Sequence, residues 1–193
     1  MRFCFTFRPR FSSAVKAAFL DRDGVINVDY AYVHSRENFH FIPGALEGAA
    51  ELVRKGHQLI IVTNQSGIGR GKYSIDQFRE LTFWLAGVFA RNHAPLSAVY
   101  FCPHHPTRAF APYLKDCDCR KPNPGMLLQA ARDLNIDLTQ SVLIGDKTSD
   151  IQAATAAGLS KAVLVQSDGT KPWTECAVPH LQTKDLLAAA KLL

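Results

Sequence analysis

Ala17-Ala18-Phe19-Leu20-Asp21-Arg22-Asp23-Gly24 is a short apolar run that ends in two carboxylates and a glycine. Read as a buried strand opening into a turn, it decides the fold and locates the chemistry. Side chains at i and i+2 of a strand share a face, so Asp21 and Asp23 point the same way where the strand ends. Ligands of open α/β sheets sit at the carboxyl ends of the strands. Two acids there repel unless a cation lies between them, and hard oxygen ligands suit Mg²⁺. A carboxylate held beside a phosphate can attack phosphorus, the aspartyl-phosphate route of covalent catalysis. An exposed Asp-Gly turn has the same sequence, so the reading needs support from the rest of the chain.

Three further segments supply it. Gln58-Leu59-Ile60-Ile61-Val62 suits a buried parallel strand and runs directly into Thr63-Asn64-Gln65-Ser66-Gly67, whose hydroxyl and amide groups can donate to phosphate oxygens. Arg120-Lys121-Pro122 precedes a helix expected over 124–134, and a lysine fixed there can neutralise a transferring phosphoryl group. Val142-Leu143-Ile144 leads into Gly145-Asp146-Lys147-Thr148-Ser149-Asp150. Asp146 would complete an Mg²⁺ oxygen cage, and Asp150 would cap the following helix or brace the ligand from behind. Each segment also has a plainer reading, as a polar loop, a surface cation or a helix cap.

D-x-D-G, T-N-Q-S-G, R-K-P and G-D-K-x-x-D, in that order and each at or near an apolar strand, resemble the haloacid dehalogenase phosphohydrolase superfamily. The resemblance implies that Asp21 is the nucleophile. It makes Asp23 the general acid–base and a backbone-carbonyl ligand of Mg²⁺, with Asp21 and Asp146 as carboxylate ligands. Thr63 and Lys121 would stabilise the phosphoryl group. A competing nucleotide-binding reading of Gly67-Ile68-Gly69-Arg70-Gly71-Lys72 fails, since Ser66 and Tyr73 stand where a P-loop needs Gly and Ser or Thr. That loop is expected instead to bring Ser66 and nearby amides to a phosphate, with Arg70 or Lys72 close by.

Between these segments lie Cys102-Pro103-His104 and Cys117-Asp118-Cys119, separated by twelve residues. Thiolates plus imidazole in a four-ligand set favour tetrahedral Zn²⁺, and four protein ligands leave no open position for chemistry. The site is therefore expected to be structural, with Cys102, His104, Cys117 and Cys119 as ligands and His105 as the alternative to His104. Cys119 abuts Arg120, so closing the loop would fix Arg120 and Lys121 against the active site. A C-x-H…C-x-C-R-K-P loop is similar to that of the D,D-heptose 1,7-bisphosphate 7-phosphatases and the histidinol-phosphate phosphatases. FLDRDGVINVD (19–29), VTNQSGIGRGK (62–72) and the 102–126 segment look like the heptose enzymes. Histidinol-phosphate enzymes typically have Asp-Gly where Ser66-Gly67 stands. The heptose resemblance implies substrate contacts from Asp29, Tyr30, Ala31, Tyr32, Thr63, Asn64, Gln65, Ser66, Arg120, Lys121 and Lys147. Ala31 departs from the family, which commonly has Gly there.

With 193 residues, 47% of them hydrophobic, the chain can bury a sizeable core. The net charge of +5 is lopsided: Arg2, Arg8, Arg10 and Lys16 face no acid among the first sixteen residues, and the remainder carries 18 bases against 17 acids. A nucleic-acid reader should spread its basic residues over the surface, which disfavours that partner and a polynucleotide phosphatase role. No apolar run has the length of a membrane span. Residues 1–16 read as a basic, disordered extension and 17–193 as one domain. Cys4 and Cys176 read as thiols of a reducing cytoplasm.

Helices are expected over 45–55, 74–91, 124–134, 151–157 and 184–193. Strands are expected at 58–62, 98–101, 142–144 and 162–165 as well as before Asp21. This alternation predicts a doubly wound parallel α/β sheet of the haloacid dehalogenase type, capless, with a zinc-stabilised loop insertion. The implied enzyme is a monomeric, Mg²⁺-dependent sugar bisphosphate phosphatase of nucleotide-activated heptose biosynthesis, with a small phosphorylated sugar as its partner. Histidinol-phosphate phosphatase is the alternative enzyme. A binding module on an inactive scaffold is disfavoured because every chemical residue is present.

Overall fold

The apolar runs that mark strands in the sequence become the centre of one sheet. The computed structural model describes residues 3–166 and 176–193. Its strands are β1 (Cys4–Thr6), β2 (Ala17–Leu20), β3 (Gln58–Asn64), β4 (Leu96–Cys102), β5 (Val142–Gly145), β6 (Lys161–Val165) and β7 (Leu181–Thr183). They lie in the order β1-β4-β3-β2-β5-β6-β7. All neighbours are parallel except β1 and β4, which are antiparallel. From β2 the chain winds to β3 and β4 on one side, then returns to place β5 and β6 on the other. The crevice at this reversal, beyond the carboxyl ends of β2 and β5, holds Asp21 and Asp146.

Strand periodicity divides the core in two. Ala18, Leu20, Leu59, Ile61, Val99, Ile144 and Val163 face one layer of helices: α1 (Ala45–Arg54), α3 (Ile75–Arg91) and α6 (Leu186–Leu192). Their alternating neighbours Ala17, Phe19, Ile60, Val62, Tyr100, Leu143 and Leu164 face α4 (Gly125–Leu134) and α5 (Thr148–Ala156). A short turn of helix, α2 (Ser66–Gly69), follows β3. Helix α3 begins as its sequence predicts: Ser74 accepts from Gln77 N and the Gln77 side chain accepts from Ser74 N. Phe78, Leu81, Leu85 and Phe89 form its buried face. Trp84 packs on Phe39 and Phe41.

Two expectations are corrected. The basic extension is not disordered across its described residues. Cys4, Phe5 and Thr6 pair with Tyr100, Val99 and Ala98, and Phe3, Phe5 and Phe7 pack on the core. The sheet is consequently mixed rather than wholly parallel. The physical reason is the alternating Phe3-Cys4-Phe5-Thr6-Phe7, a half-buried edge strand whose apolar face outweighs its flanking arginines. Strand β7 was also unforeseen, because Leu181-Gln182-Thr183 is short and mostly exposed. Among the described residues no helix is long and apolar enough to cross a membrane.

Candidate active site

Asp21 leaves the end of β2 and is 5% exposed. Its Oδ1 accepts from Arg22 N at 2.8 Å and pairs with Lys121 Nζ at 3.0 Å. Burial pushes this carboxyl up, but the charges of Lys121 and Lys147 outweigh it and hold it below the ordinary aspartate value. Lys121 is equally buried and also pairs with Asp150 Oδ1 at 2.5 Å and donates to Val62 O at 2.8 Å. Burial would strip its proton, yet Asp150 and Asp21 together raise its pKa. Asp150 takes the expected capping position, its other oxygen accepting from Lys147 N at the start of α5, while Oδ1 holds Lys121.

Asp21, Asp146 and Asp150 bring one oxygen each within 4.8 Å of one another. Burial, then the nearby Asp21 charge, pushes Asp146 up to about 7. Crowded carboxylates of this kind, close to Asp21, fit a hard divalent cation such as Mg²⁺. Gly24, at φ +89°, lets Asp146 come this close, since a Cβ there would sit 2.3 Å from Asp146 Oδ2. The Asp23 carboxylate is not in this group. It is gripped by Arg22 Nη2 at 2.9 and 3.0 Å, Asn27 Nδ2 at 3.0 Å and Gln65 Nε2 at 3.0 Å.

Around these groups opens a cleft of about 520 Å³, lined by Asp21, Asp23, Asp29, Ala31, Tyr32, Thr63, Asn64, Gln65, Ser66, Arg120, Lys121 and Lys147. Tyr30 lies outside it, 59% exposed and edge-on to His40. Asn64 and Gln65 turn out to serve neighbouring groups. Asn64 donates to Lys121 O and accepts from Lys121 N, pinning the Arg120–Pro122 segment to β3. Gln65 donates to Asp23 and to Thr63 Oγ1, and accepts from Tyr73 OH. Lys147 Nζ reaches Asp146 at 3.1 Å and Asp29 at 3.5 Å. Arg70 and Lys72 lie over the Tyr32 ring, with Arg70 Nη1 donating to Tyr32 OH at 2.9 Å.

Beside the cleft, Cys102, His104, Cys117 and Cys119 converge, with one ligand atom from each within 4.8 Å of the rest. The sulfurs are 3.2, 3.3 and 3.6 Å apart, and His104 Nδ1 lies 3.4 and 3.7 Å from Cys119 and Cys102. A tetrahedron with Zn–S of about 2.3 Å needs sulfurs about 3.8 Å apart, so the donor set and its spacing fit that ion. His104, not His105, faces the sulfurs; His105 accepts from Thr107 N and Arg108 N. Hydrogen bonding with Cys102, outweighing burial, holds the Cys119 thiol down at about 5. Arg120 donates from Nη1 to His104 O at 3.2 Å, which ties the arginine to the cluster.

The chain as a whole resembles known proteins. The HAD-hydrolase-like family model matches residues 118–189. The D-glycero-beta-D-manno-heptose-1,7-bisphosphate 7-phosphatase of Vibrio cholerae is 51% identical over 162 residues, 84% of this chain and 86% of the relative. That of Escherichia coli K12 is 48% identical over 156 residues, 81% and 82% of the two chains. The chain belongs to this heptose bisphosphate phosphatase family. It is thus a haloacid dehalogenase-like phosphoric monoester hydrolase. The family's fold is matched too: the Bordetella bronchiseptica D,D-heptose 1,7-bisphosphate phosphatase, complexed with magnesium and phosphate, superposes with a TM-score of 0.78 at 32% identity, covering 92% of this chain and 97% of that one. A HAD-like phosphatase from Mesorhizobium loti gives a TM-score of 0.83 at 33% identity, covering 98% and 92%.

Sequence reasoning passed over four residues of this site. Arg22 and Asn27 hold Asp23, Tyr73 holds Gln65, and Ser149 lines the cleft. Arg22 carried a signal, since a cation between two acids at the end of a buried strand must find partners.

Proposed function

We propose that this enzyme removes the C7 phosphate of D-glycero-β-D-manno-heptose 1,7-bisphosphate. The observation that carries this reading is the buried Asp21–Lys121 pair at the floor of a cleft flanked by Arg120 and Lys147, in a chain about half identical to enzymes of that name. A bisphosphate presents one phosphate to react and another to be recognised, and the cleft offers cations for both.

An oxygen of Asp21 attacks phosphorus, and the bond to the C7 oxygen breaks. Asp23 gives its proton to that leaving oxygen. Lys121 and Thr63 balance the charge on the phosphoryl oxygens. Water then attacks the aspartyl phosphate, Asp23 takes back a proton, and inorganic phosphate leaves with Asp21 restored. Mg²⁺, held by Asp21, Asp146 and the Asp23 carbonyl, would offset phosphate charge and orient the reacting group. Zn²⁺ on Cys102, His104, Cys117 and Cys119 would hold the Arg120–Lys121 segment in place. The product keeps its anomeric phosphate, as nucleotidyl activation of a heptose for surface glycans requires. We place this chemistry in the cytoplasm.

The test compares kcat/KM for the β and α heptose bisphosphates, fructose 1,6-bisphosphate and histidinol phosphate. The β-bisphosphate should lead. Histidinol phosphate as the better substrate would overturn the assignment. Asp21→Asn should abolish turnover of every substrate, because an amide cannot form the acyl phosphate; activity like wild type in that variant would end the mechanism.

A further inference from the structure

The N-terminal strand reaches further than the sheet. Beyond Cys4, the Phe3 carbonyl accepts from Phe101 N at 3.0 Å, extending the ladder toward the end of β4. The Phe3 ring then stands edge-on to the His104 imidazole, with centroids 5.3 Å apart and planes at 80°. Tyr113 lies 6.1 Å from the same imidazole and 6.3 Å from Phe3. His104 is 5% exposed, with Nδ1 toward the sulfurs of Cys119 and Cys102. Its carbonyl holds Arg120. A side chain from the terminus thus abuts the residue that is both a candidate ligand and the anchor of the arginine in the cleft.

We propose that Phe3 is a positioning residue: through its ring the N-terminal strand holds His104 in the metal site and, with it, the arm that carries Arg120. The inference rests on the reading of the cysteine–histidine cluster as a zinc site. Removing the ring opens one side of the imidazole and gives it rotational freedom, so the histidine leaves the metal more often. An edge-on aromatic pair of ordinary strength corresponds to a roughly three- to tenfold change in such a rate.

The test uses full-length protein with its zinc bound, and follows zinc release to a colorimetric chelator. Phe3→Ala should release zinc about three to ten times faster than wild type. Phe3→Leu, which keeps apolar bulk in the strand, should fall between the two, and Phe3→Tyr should restore the wild-type rate. Phe7→Ala is the control. It weakens the same strand, but its ring meets Phe83 at 5.6 Å, so it should lower the thermal midpoint and leave zinc release unchanged. KM for the heptose bisphosphate should rise in Phe3→Ala more than KM for phenyl phosphate, which has no second phosphate for Arg120. Equal release from Phe3→Ala and wild type, or equal acceleration in Phe7→Ala, would overturn the inference. Wild-type protein purified without zinc would end the zinc reading and this inference with it. A full complement of zinc with unchanged release in the Phe3 variants would end the inference alone.

Discussion

Lys121 is the residue on which the electrostatics of the cleft turn. It is 4% exposed, and its ammonium is shared between Asp21 and Asp150, themselves almost wholly buried. Neutralising it strands two carboxylates in the interior, and breaking a buried pair from one side costs about 3–5 kcal/mol. Lys121→Ala should therefore lower stability by roughly 3 kcal/mol in urea unfolding without Mg²⁺. It should also cut turnover by more than about a hundredfold, even with Mg²⁺ present. Wild-type stability in this variant would mean that Asp21 and Asp150 have other partners. Ala31 makes a contrasting case, in which the backbone decides. It sits at φ +59° and its neighbour Tyr32 at φ +58°, both in the left-handed region. A Cβ costs about 1–2 kcal/mol there, partly offset by the greater freedom of an unfolded glycine. Ala31→Gly, the residue common in the resembling family, should stabilise the protein by about 0.5–1 kcal/mol, measured by urea midpoint at constant slope. A lower midpoint would show that the Ala31 methyl makes contacts worth more than the backbone relief.

At the scale of elements, what could be read in advance depended on length and on locality. β2, β3, β4, β5 and β6 were legible because strands buried on both faces read as continuous apolar runs. β1 and β7 have three residues each, too few for a period to stand out. In β1 the alternating phenylalanines were present, but the arginines nearby argued for a solvated tail. The same divide runs through the site. Asp21, Thr63 and Asp146 were legible because each stands at the carboxyl end of its own strand in a recognisable motif, and Lys121 because it stands in the R-K-P motif before α4. The grip on Asp23 was not, since it joins positions 22, 27, 65 and 73 across different segments, and no spacing rule links them. The convergence of Cys102, His104, Cys117 and Cys119 was legible from their donor chemistry, with His104 preferred over His105 by the family resemblance, and the consequence of a zinc site there can be tested. Cys119 directly precedes Arg120 and Lys121, and reacting groups displaced by about 1 Å lose on the order of a hundredfold in rate. Cys119→Ser should give folded protein with one equivalent less zinc and poor turnover that added Mg²⁺ does not rescue. Full activity in the zinc-depleted variant would separate the loop from catalysis.

Across the whole molecule, the acids and lysines of the cleft gather beyond the carboxyl ends of β2, β3 and β5, and His57 stands apart from them with a measurable consequence. It lies at the turn between α1 and β3, 7% exposed, at the opposite end of β3 from Thr63, with Nδ1 3.3 Å from Leu52 O. Burial first, then the charge of Lys16, lowers its pKa from the ordinary 6.5. The unfolded chain therefore binds a proton at this residue at a higher pH than the native protein does. Stability from a neutral His57 is fully present above pH 6.5 and is lost as the pH falls from there toward the lower native value. Asp146 works in the opposite sense in metal-free protein: with its carboxyl pushed up to about 7, the native state takes up a proton before the unfolded state does, which favours folding as the pH drops below 7. A single stability curve would mix the two, so the difference between variant and wild type is the useful quantity. His57→Gln keeps a polar group near Leu52 O and removes the titration. The variant should be less stable than, or equal to, wild type at pH 7.5, and should gain on it steadily between pH 6.5 and pH 5 in urea unfolding with Mg²⁺ held constant. A difference that stays flat over that range would mean that His57 protonates in the native protein as readily as in the unfolded chain. Burial beside Lys16 makes that outcome physically costly, because the imidazolium would lose its water and face a like charge at once.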